Sequence, residues 1–205
     1  GPERKSRLIS EEEREIIAHY EAGHALVRKL LPNCDPVHKI SIVTRGSSLG
    51  YTMPLPERDQ YLYNTVKFKD EIAAILGGRA AEELVFGEIT DNAMNDLERA
   101  TKIARSMVTQ YGMSEEIGPL QFGEKDELVF LGKEIGEQRN YSEATAQVID
   151  TEVRRIVTEA YDRARELLTR HEHTLRRIAQ RLIEIETMTA DELDAILEPV
   201  PVLAG

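Results

Sequence analysis

Residues Ala18–Val27 read AHYEAGHALV, and they sit inside a longer segment, SEEEREIIAHYEAGHALVRKLLP, that opens on Ser10 and closes on Pro32. Ser10 is a good N-cap residue, and Glu13 three positions on completes a capping box. Pro32 lacks the N–H that a continuing helix needs. Ile16, Tyr20, His24, Val27 and Leu31 recur at helical spacing and form one stripe. The pattern predicts a helix that carries Tyr20 and His24 on the same side.

That placement invites a comparison with H-E-x-x-H. Two histidines four residues apart lie about 40° from each other around a helix and can grip one Zn²⁺. The glutamate beside the first turns toward the metal-bound water as general base. Here Glu21 and His24 fill the second and fifth slots, and Tyr20 fills the first. His19 stands one residue too early. Five residues of separation put it about 140° from His24, so the two share a metal only if a π-bulge draws them into register. Tyr20 does point the right way. A phenolate can ligate zinc, but its usual pKa of about 10 means that the metal itself must lower it. Taken alone, E-x-x-H is weak, and an amphipathic helix with a half-buried Tyr and His is the better reading of it.

Working outward, VHKISIVTRG alternates Val37, Lys39, Ser41 and Val43 against His38, Ile40 and Ile42, which predicts a strand. LGYTMPLP reads as a second short extended piece. A helix is predicted from about Thr65 to Leu84, weakened in the middle by Gly77-Gly78 and ended by Gly87. Thr90 or Asp91 can cap the next helix, which Gly112 stops. On it, Asp96 shares its side with Ala100, Ile103, Ala104 and Met107, so an acid points at apolar neighbours and wants a partner. An acid near a helix N-terminus is also favoured by the helix dipole alone. GPLQFGEKDELVFLGKEI is glycine-rich and reads as short strands with a mobile loop. A long helix from Ser142 to about Arg170 should turn Val148, Val153, Ile156, Ala160, Ala164 and Leu167 inward. HTLRRIAQRLIEIET and a short helix capped by Thr189 follow, so the chain reads as helical throughout from Ser142. No internal repeat stands out.

Composition removes several function classes. The chain has 205 residues with 41% hydrophobic and 31% charged, the balance of a soluble globular protein with room for a real core. Its net charge of −11, without a basic run, argues against a nucleic-acid surface. The single cysteine, Cys34, cannot form an internal disulfide, which suits a reducing compartment. No apolar run is long enough to span a bilayer, and no G-x-x-x-x-G-K-[ST] offers a phosphate loop. Gly1-Pro2 reads as a remnant of tag removal.

EAGHALV after IIA, then VHKISIVTRG, LGYTMPLPE, LGGRAAEELVFGEIT, NDLERATKIARSMVTQYGMS, GPLQFG, FLGKEI and YSEATAQVIDTEVRRIV resemble, in this order, the peptidase domain of the FtsH family, membrane-anchored AAA zinc metalloproteases. The similarity runs from about Ile9 to Pro199. The family pattern A-Y-H-E-A-G-H becomes Ala18-His19-Tyr20-Glu21-Ala22-Gly23-His24, so Tyr20 occupies the first zinc-ligand slot. Either a His and a Tyr are transposed, or the second member of a His-His pair has become Tyr, by design or by natural loss of the metal. The family's A-x-N-D motif matches Ala93-Met94-Asn95-Asp96, which gives Asp96 the third-ligand role, with Glu82 or Glu83 as a rival carboxylate. The family's T-T-G-A appears as Thr90-Asp91-Asn92-Ala93, a second departure close to the site.

The resemblance implies a mainly α fold with a small β-sheet and a C-terminal helical bundle. It divides the chain into a tag remnant and linker (1–8), a peptidase domain (9–199, helical from about 142) and a tail (200–205). Zn²⁺ would be held by His24 and Asp96, weakly if Tyr20 cannot help, with Glu21 as base; His19 is a remoter ligand candidate. Ile40, Ser41, Ile42 and Val43 would form a strand that pairs with extended polypeptide substrates. A homo-hexamer is implied, with ATP bound only by an AAA domain upstream. Membrane attachment would lie upstream too, with this domain soluble and facing the cytoplasm or an equivalent organelle compartment. The alternatives are a non-catalytic pseudo-protease and a ring-forming oligomerisation module.

Overall fold

The computed structural model describes residues 9–44, 49–54, 62–125, 137–138 and 140–197. Its central element is α1 (Glu11–Leu30). Ser10 caps it, Oγ accepting from the Glu13 backbone N–H, and Leu31 turns extended one residue before Pro32. The stripe read from the sequence is only part of what α1 buries. Residues Ile17 to Gly23 and Ala25 to Arg28 are buried on every side, because α1 is enclosed by α2 (Thr65–Phe86), α5 (Glu172–Ile185) and a sheet.

The contact of α1 with α2 depends on glycine. A Cβ on Gly23 would stand 2.4 Å from the Gly77 carbonyl oxygen and 2.6 Å from the Ala81 Cβ. One on Gly77 would stand 2.8 Å from the Gly23 carbonyl oxygen. Gly77, in a glycine pair that weakens an isolated helix, is what lets the two helices meet backbone to backbone. Gly87 ends α2 in the left-handed conformation, at φ 71°.

The sheet has three antiparallel strands in the order β2-β1-β5, where β1 is Val37–Ser41, β2 is Tyr51–Pro54 and β5 is Thr187–Thr189. The regular alternation expected of β1 is broken by a register shift between Val37 and Lys39, so Val37 and Ile40 are both buried. Ile40 faces Thr52 on one side and Met188 on the other, and Ser41 faces Tyr51 and Thr187. Beyond the strand, the Ile42 N–H donates to the Glu186 carbonyl at 2.9 Å, and the Val43 N–H donates to Ser41 Oγ at 3.1 Å. Of the residues expected to pair with a substrate, Ile40 and Ser41 lie on β1, which has β2 on one side and β5 on the other, and Ile42 and Val43 lie just beyond it. Among the described residues, the edge strand on the side of the site is β2. β5 corrects the reading of everything after Ser142 as helix.

The 3-10 turn Asp91–Ala93 leads into α3 (Met94–Thr109), and α4 (Glu143–Arg170), α5 and α6 (Ala190–Leu197) complete the chain. In α4 the inward row is offset at both ends: Ile149 and Leu168 are buried, Val148 is exposed and Leu167 only half-buried. These C-terminal helices share one core with α1 and α2. The fold is thus mainly α with a small antiparallel sheet. β3 (Glu124–Lys125) and β4 (Glu137–Gln138) pair antiparallel. The loop expected to be mobile falls largely on 126–136, which with the expected linker 1–8 and tail 200–205 lies outside the described residues.

Candidate metal and peptidase site

Tyr20, Glu21 and His24 leave α1 on the side of a cleft of about 410 Å³, which Thr52 of β2 and Asp96 of α3 also line. α2 lies behind the two rings. A Cβ on Gly78 would stand 2.6 Å from His24 Nε2 and 2.7 Å from Tyr20 Cε1, so glycine makes the room for both. Asp96 is delivered by the segment that starts at Thr90. The Thr90 N–H donates to Glu82 Oε1, and Thr90 Oγ1 accepts from the Asn92 N–H at 3.2 Å. The expected apolar side of α3 is present, with Ala100, Ala104 and Met107 fully buried.

The polar groups converge on one oxygen. The Tyr20 hydroxyl donates to Asp96 Oδ2, and His24 Nε2 stands 3.1 Å from the same atom. The two rings meet edge to face, with centroids 4.8 Å apart. On its other side, His24 Nδ1–H donates to the Ala74 carbonyl at 2.8 Å. A carbonyl and a carboxylate only accept, so this geometry puts a proton on both ring nitrogens. The His24 pKa moves accordingly: burial pulls it down, but the Asp96 hydrogen bond and the charges of Glu21 and Asp96 carry it above its ordinary value. For Asp96, burial pushes up, and the contacts with His24 and Tyr20 outweigh it and hold the carboxyl low. Tyr20 is driven far above an ordinary phenol by burial and by the Asp96 charge, so it keeps its proton.

Glu21 is only 5% exposed, and burial raises its pKa. Its Oε2 accepts from the Thr52 hydroxyl at 2.7 Å, which ties it to the edge strand. The structure does not bring His19 into this cluster. α1 stays regular through all its turns, the His19 Nδ1–H donates to the Glu15 carbonyl at 2.7 Å, and the ring packs on Phe86. Of the rival carboxylates, Glu83 turns to Tyr161 and Arg165. Glu82 is 1% exposed and holds Thr90, a role that no local pattern reveals because its partner lies on the far side of the Gly87 turn. Asp91 and Asn92, the departure noted in the sequence, line the cleft.

A catalytic zinc takes three protein ligands, and they must be deprotonated. The cleft offers His24 and Asp96, and the third polar group at the same oxygen is the Tyr20 phenol. Among the described residues, no three of His, Cys, Asp and Glu come together as a metal site. The residues present therefore do not fit a three-ligand zinc site.

Comparison with known proteins bears on what the cleft belongs to. The chain is 54% identical over its whole length to the ATP-dependent zinc metalloprotease FtsH 1 of Sphaerobacter thermophilus, of which it covers 32%. It is 55% identical over 96% of its length to the ATP-dependent zinc metalloprotease FtsH of Thermotoga maritima, again covering 32% of that protein. The chain thus spans about a third of the length of the curated relatives it matches. The family model described as Peptidase family M41 matches residues 7–196, nearly the whole chain. A mainly α domain with this cleft and this match belongs to peptidase family M41.

Proposed function

We propose that this chain is the protease domain of an ATP-dependent, membrane-anchored zinc metalloprotease that degrades unfolded and membrane proteins, and that Tyr20 impairs hydrolysis here. The observation that carries the impairment is the Tyr20 hydroxyl closed on Asp96 Oδ2, where a third ligand should converge with His24. His24 and Asp96 are the ligands that remain. Glu21 is the group fitted to move protons. It is buried, its pKa is raised, and Thr52 orients it at the cleft, so it can take a proton from water and hand it to a leaving amine. β2 lines the same cleft as an edge strand. Main-chain pairing there suits a polypeptide substrate with loose sequence preference. ATP, a hexameric ring and membrane attachment belong to this proposal through the resemblance to FtsH proteins, with ATP and membrane contacts outside this domain. The closed Tyr20–Asp96–His24 cluster also favours a second reading, a pseudo-protease that keeps its fold without cutting.

Zinc calorimetry on the chain and on its Tyr20→His variant tests the proposal. The variant should bind at least about tenfold more tightly, and equal affinities overturn the reading of position 20. In the full-length ATPase-linked protein, Tyr20→His should restore casein cleavage. Adding Glu21→Gln should abolish cleavage with zinc still bound, and adding Asp96→Ala should lower both. A Tyr20→His protein that binds zinc and cuts nothing selects the pseudo-protease.

A further inference from the structure

Among the described residues, three carboxylates line the cleft: Glu21, Asp91 and Asp96. Two of them are engaged. Glu21 accepts from Thr52, and Asp96 accepts from Tyr20 and faces His24. Asp91 is exposed, and its carboxylate takes part in no hydrogen bond or ion pair among the described residues. An acid that opens a helical run is favoured by the local dipole alone, but the surface beside Asp91 is particular. The Met94 N–H donates to the Asp91 carbonyl, closing a 3-10 turn. Side chains three apart eclipse in such a turn, so Asp91 and Met94 stand on one side of it. Met94 is 69% exposed and Leu49 40%, and both line the same cleft. β2 lines it as an edge strand.

We infer that Asp91 is a specificity-determining residue of the cleft, and that with Met94 and Leu49 it forms a subsite for a lysine or arginine side chain of an extended polypeptide. The inference rests on the reading of the cleft as a polypeptide site and adds to it a choice of side chain. A basic side chain is a long apolar stem with a charged head, and such stems lie along apolar surface while the head stays in water. The subsite supplies both halves, apolar contact from Met94 and Leu49 and an exposed carboxylate for the head. A chain paired to an edge strand gains affinity from main-chain hydrogen bonds and specificity from what its alternate side chains meet. Two cations also line the cleft, and neither is paired with Asp91. Arg28 is closed on Glu71, and the charge of Arg99 acts on Asp96. Asp91 stands where the FtsH pattern has a threonine, so the preference for a basic side chain belongs to this chain and not to the pattern it resembles.

The test is fluorescence anisotropy on the chain as it stands, with labelled peptides of one extended sequence in which one position at a time is lysine, norleucine or glutamate. At one position the lysine peptide should bind about two- to fivefold more tightly than the norleucine peptide at low salt, the range of an exposed charge pair. That margin should shrink as salt is raised. Asp91→Asn keeps the shape of the side chain and should erase the margin, and Asp91→Lys should turn the preference to glutamate. Met94→Ala should weaken the lysine and norleucine peptides together. Equal binding of the three peptides at every position overturns the inference and spares the polypeptide reading. Tighter binding of the glutamate peptide does the same, since Arg99 then makes the choice. A lysine preference that survives both Asp91 variants also overturns it, because the attraction then comes from the net negative charge of the chain. If no peptide binds the parent, the polypeptide reading falls and takes this inference with it.

Discussion

Gly23 and Tyr20 lie within one turn of α1, and both face α2, yet they stand at opposite ends of a scale of tolerance. At Gly23 the helices touch backbone to backbone, and even a methyl group would meet the Gly77 carbonyl at 2.4 Å. At Tyr20 a full phenol ring is accommodated, because Gly78 gives way behind it and the cleft opens in front. Close-packed interiors tolerate little added volume, and overpacking costs about 1–3 kcal/mol or more. A position that opens on a cleft escapes this constraint. A side chain that lines a cleft can therefore change chemistry while the fold stays whole, and a packing glycine cannot change at all.

The largest expected effect follows at Gly23. Gly23→Ala should destabilise the chain by about 3 kcal/mol or more, since the obstacle is backbone and cannot swing away. Urea unfolding measures it. A variant that unfolds at the parent midpoint breaks the contrast.

Tyr20→Phe probes the other end. It keeps the ring and removes only the donor to Asp96, leaving that oxygen to His24. The loss should be about 1 kcal/mol, the low end for a partly buried acceptor stripped of one partner. A loss as large as that at Gly23 would mean that the hydroxyl, and not the packing, holds α3 against α1.

The sequence made the local half of this legible. Ser10 and Thr189 accept the cap hydrogen bonds expected of them, since an N-cap needs only a side chain and an N–H two or three residues on; Thr90 caps the 3-10 turn ahead of α3, which itself starts from Ala93 without a side-chain cap. The collinear resemblance then carried the family. What stayed hidden depends on distant partners. Gly77-Gly78 looked like a flaw because α1 is not visible from α2. β5 is three residues long and exists only against β1. That β1 has a partner on each side was hidden for the same reason, because nothing local reveals β5. In the site, the spacing from Tyr20 to Glu21 to His24 was readable as helix geometry. Asp96, 72 residues beyond His24, came only from the resemblance, and the hold of Glu82 on Thr90 came only from the fold.

A third region, away from the cleft, gives a smaller effect with a defined sign. Glu152 of α4 is 3% exposed and is held by Arg155 and by the Ser114 hydroxyl. The Arg155 contact, against burial and with help from Ser114, lowers its pKa below the ordinary 4.5. A carboxyl depressed in the folded state stabilises above its unfolded pKa, and that contribution fades as pH falls through the folded value. Melting curves should show the parent losing stability below about pH 4.5 more steeply than Glu152→Gln. Parallel acid arms for the two proteins would show that this carboxyl is not held low.

The smallest expected effect is on metal removal. Zinc stabilises a fold only as far as it binds the folded state, by RT ln(1 + [L]/Kd). In the parent chain, Asp96 already takes hydrogen bonds from Tyr20 and His24, so α1 and α3 are joined without an ion. Each of these donors must also lose a proton before it can bind a metal. Chelator should therefore leave the melting temperature of the parent within about 1 °C, and added zinc should change it no more. In the Tyr20→His variant, zinc at 100 times its Kd should add about 2.7 kcal/mol. A parent melt that drops by many degrees with chelator would mean that the Tyr20 phenol surrenders its proton to a metal. Tyr20 would then be a working ligand, and the tolerance seen at that position would be tolerance of function as well as of fold.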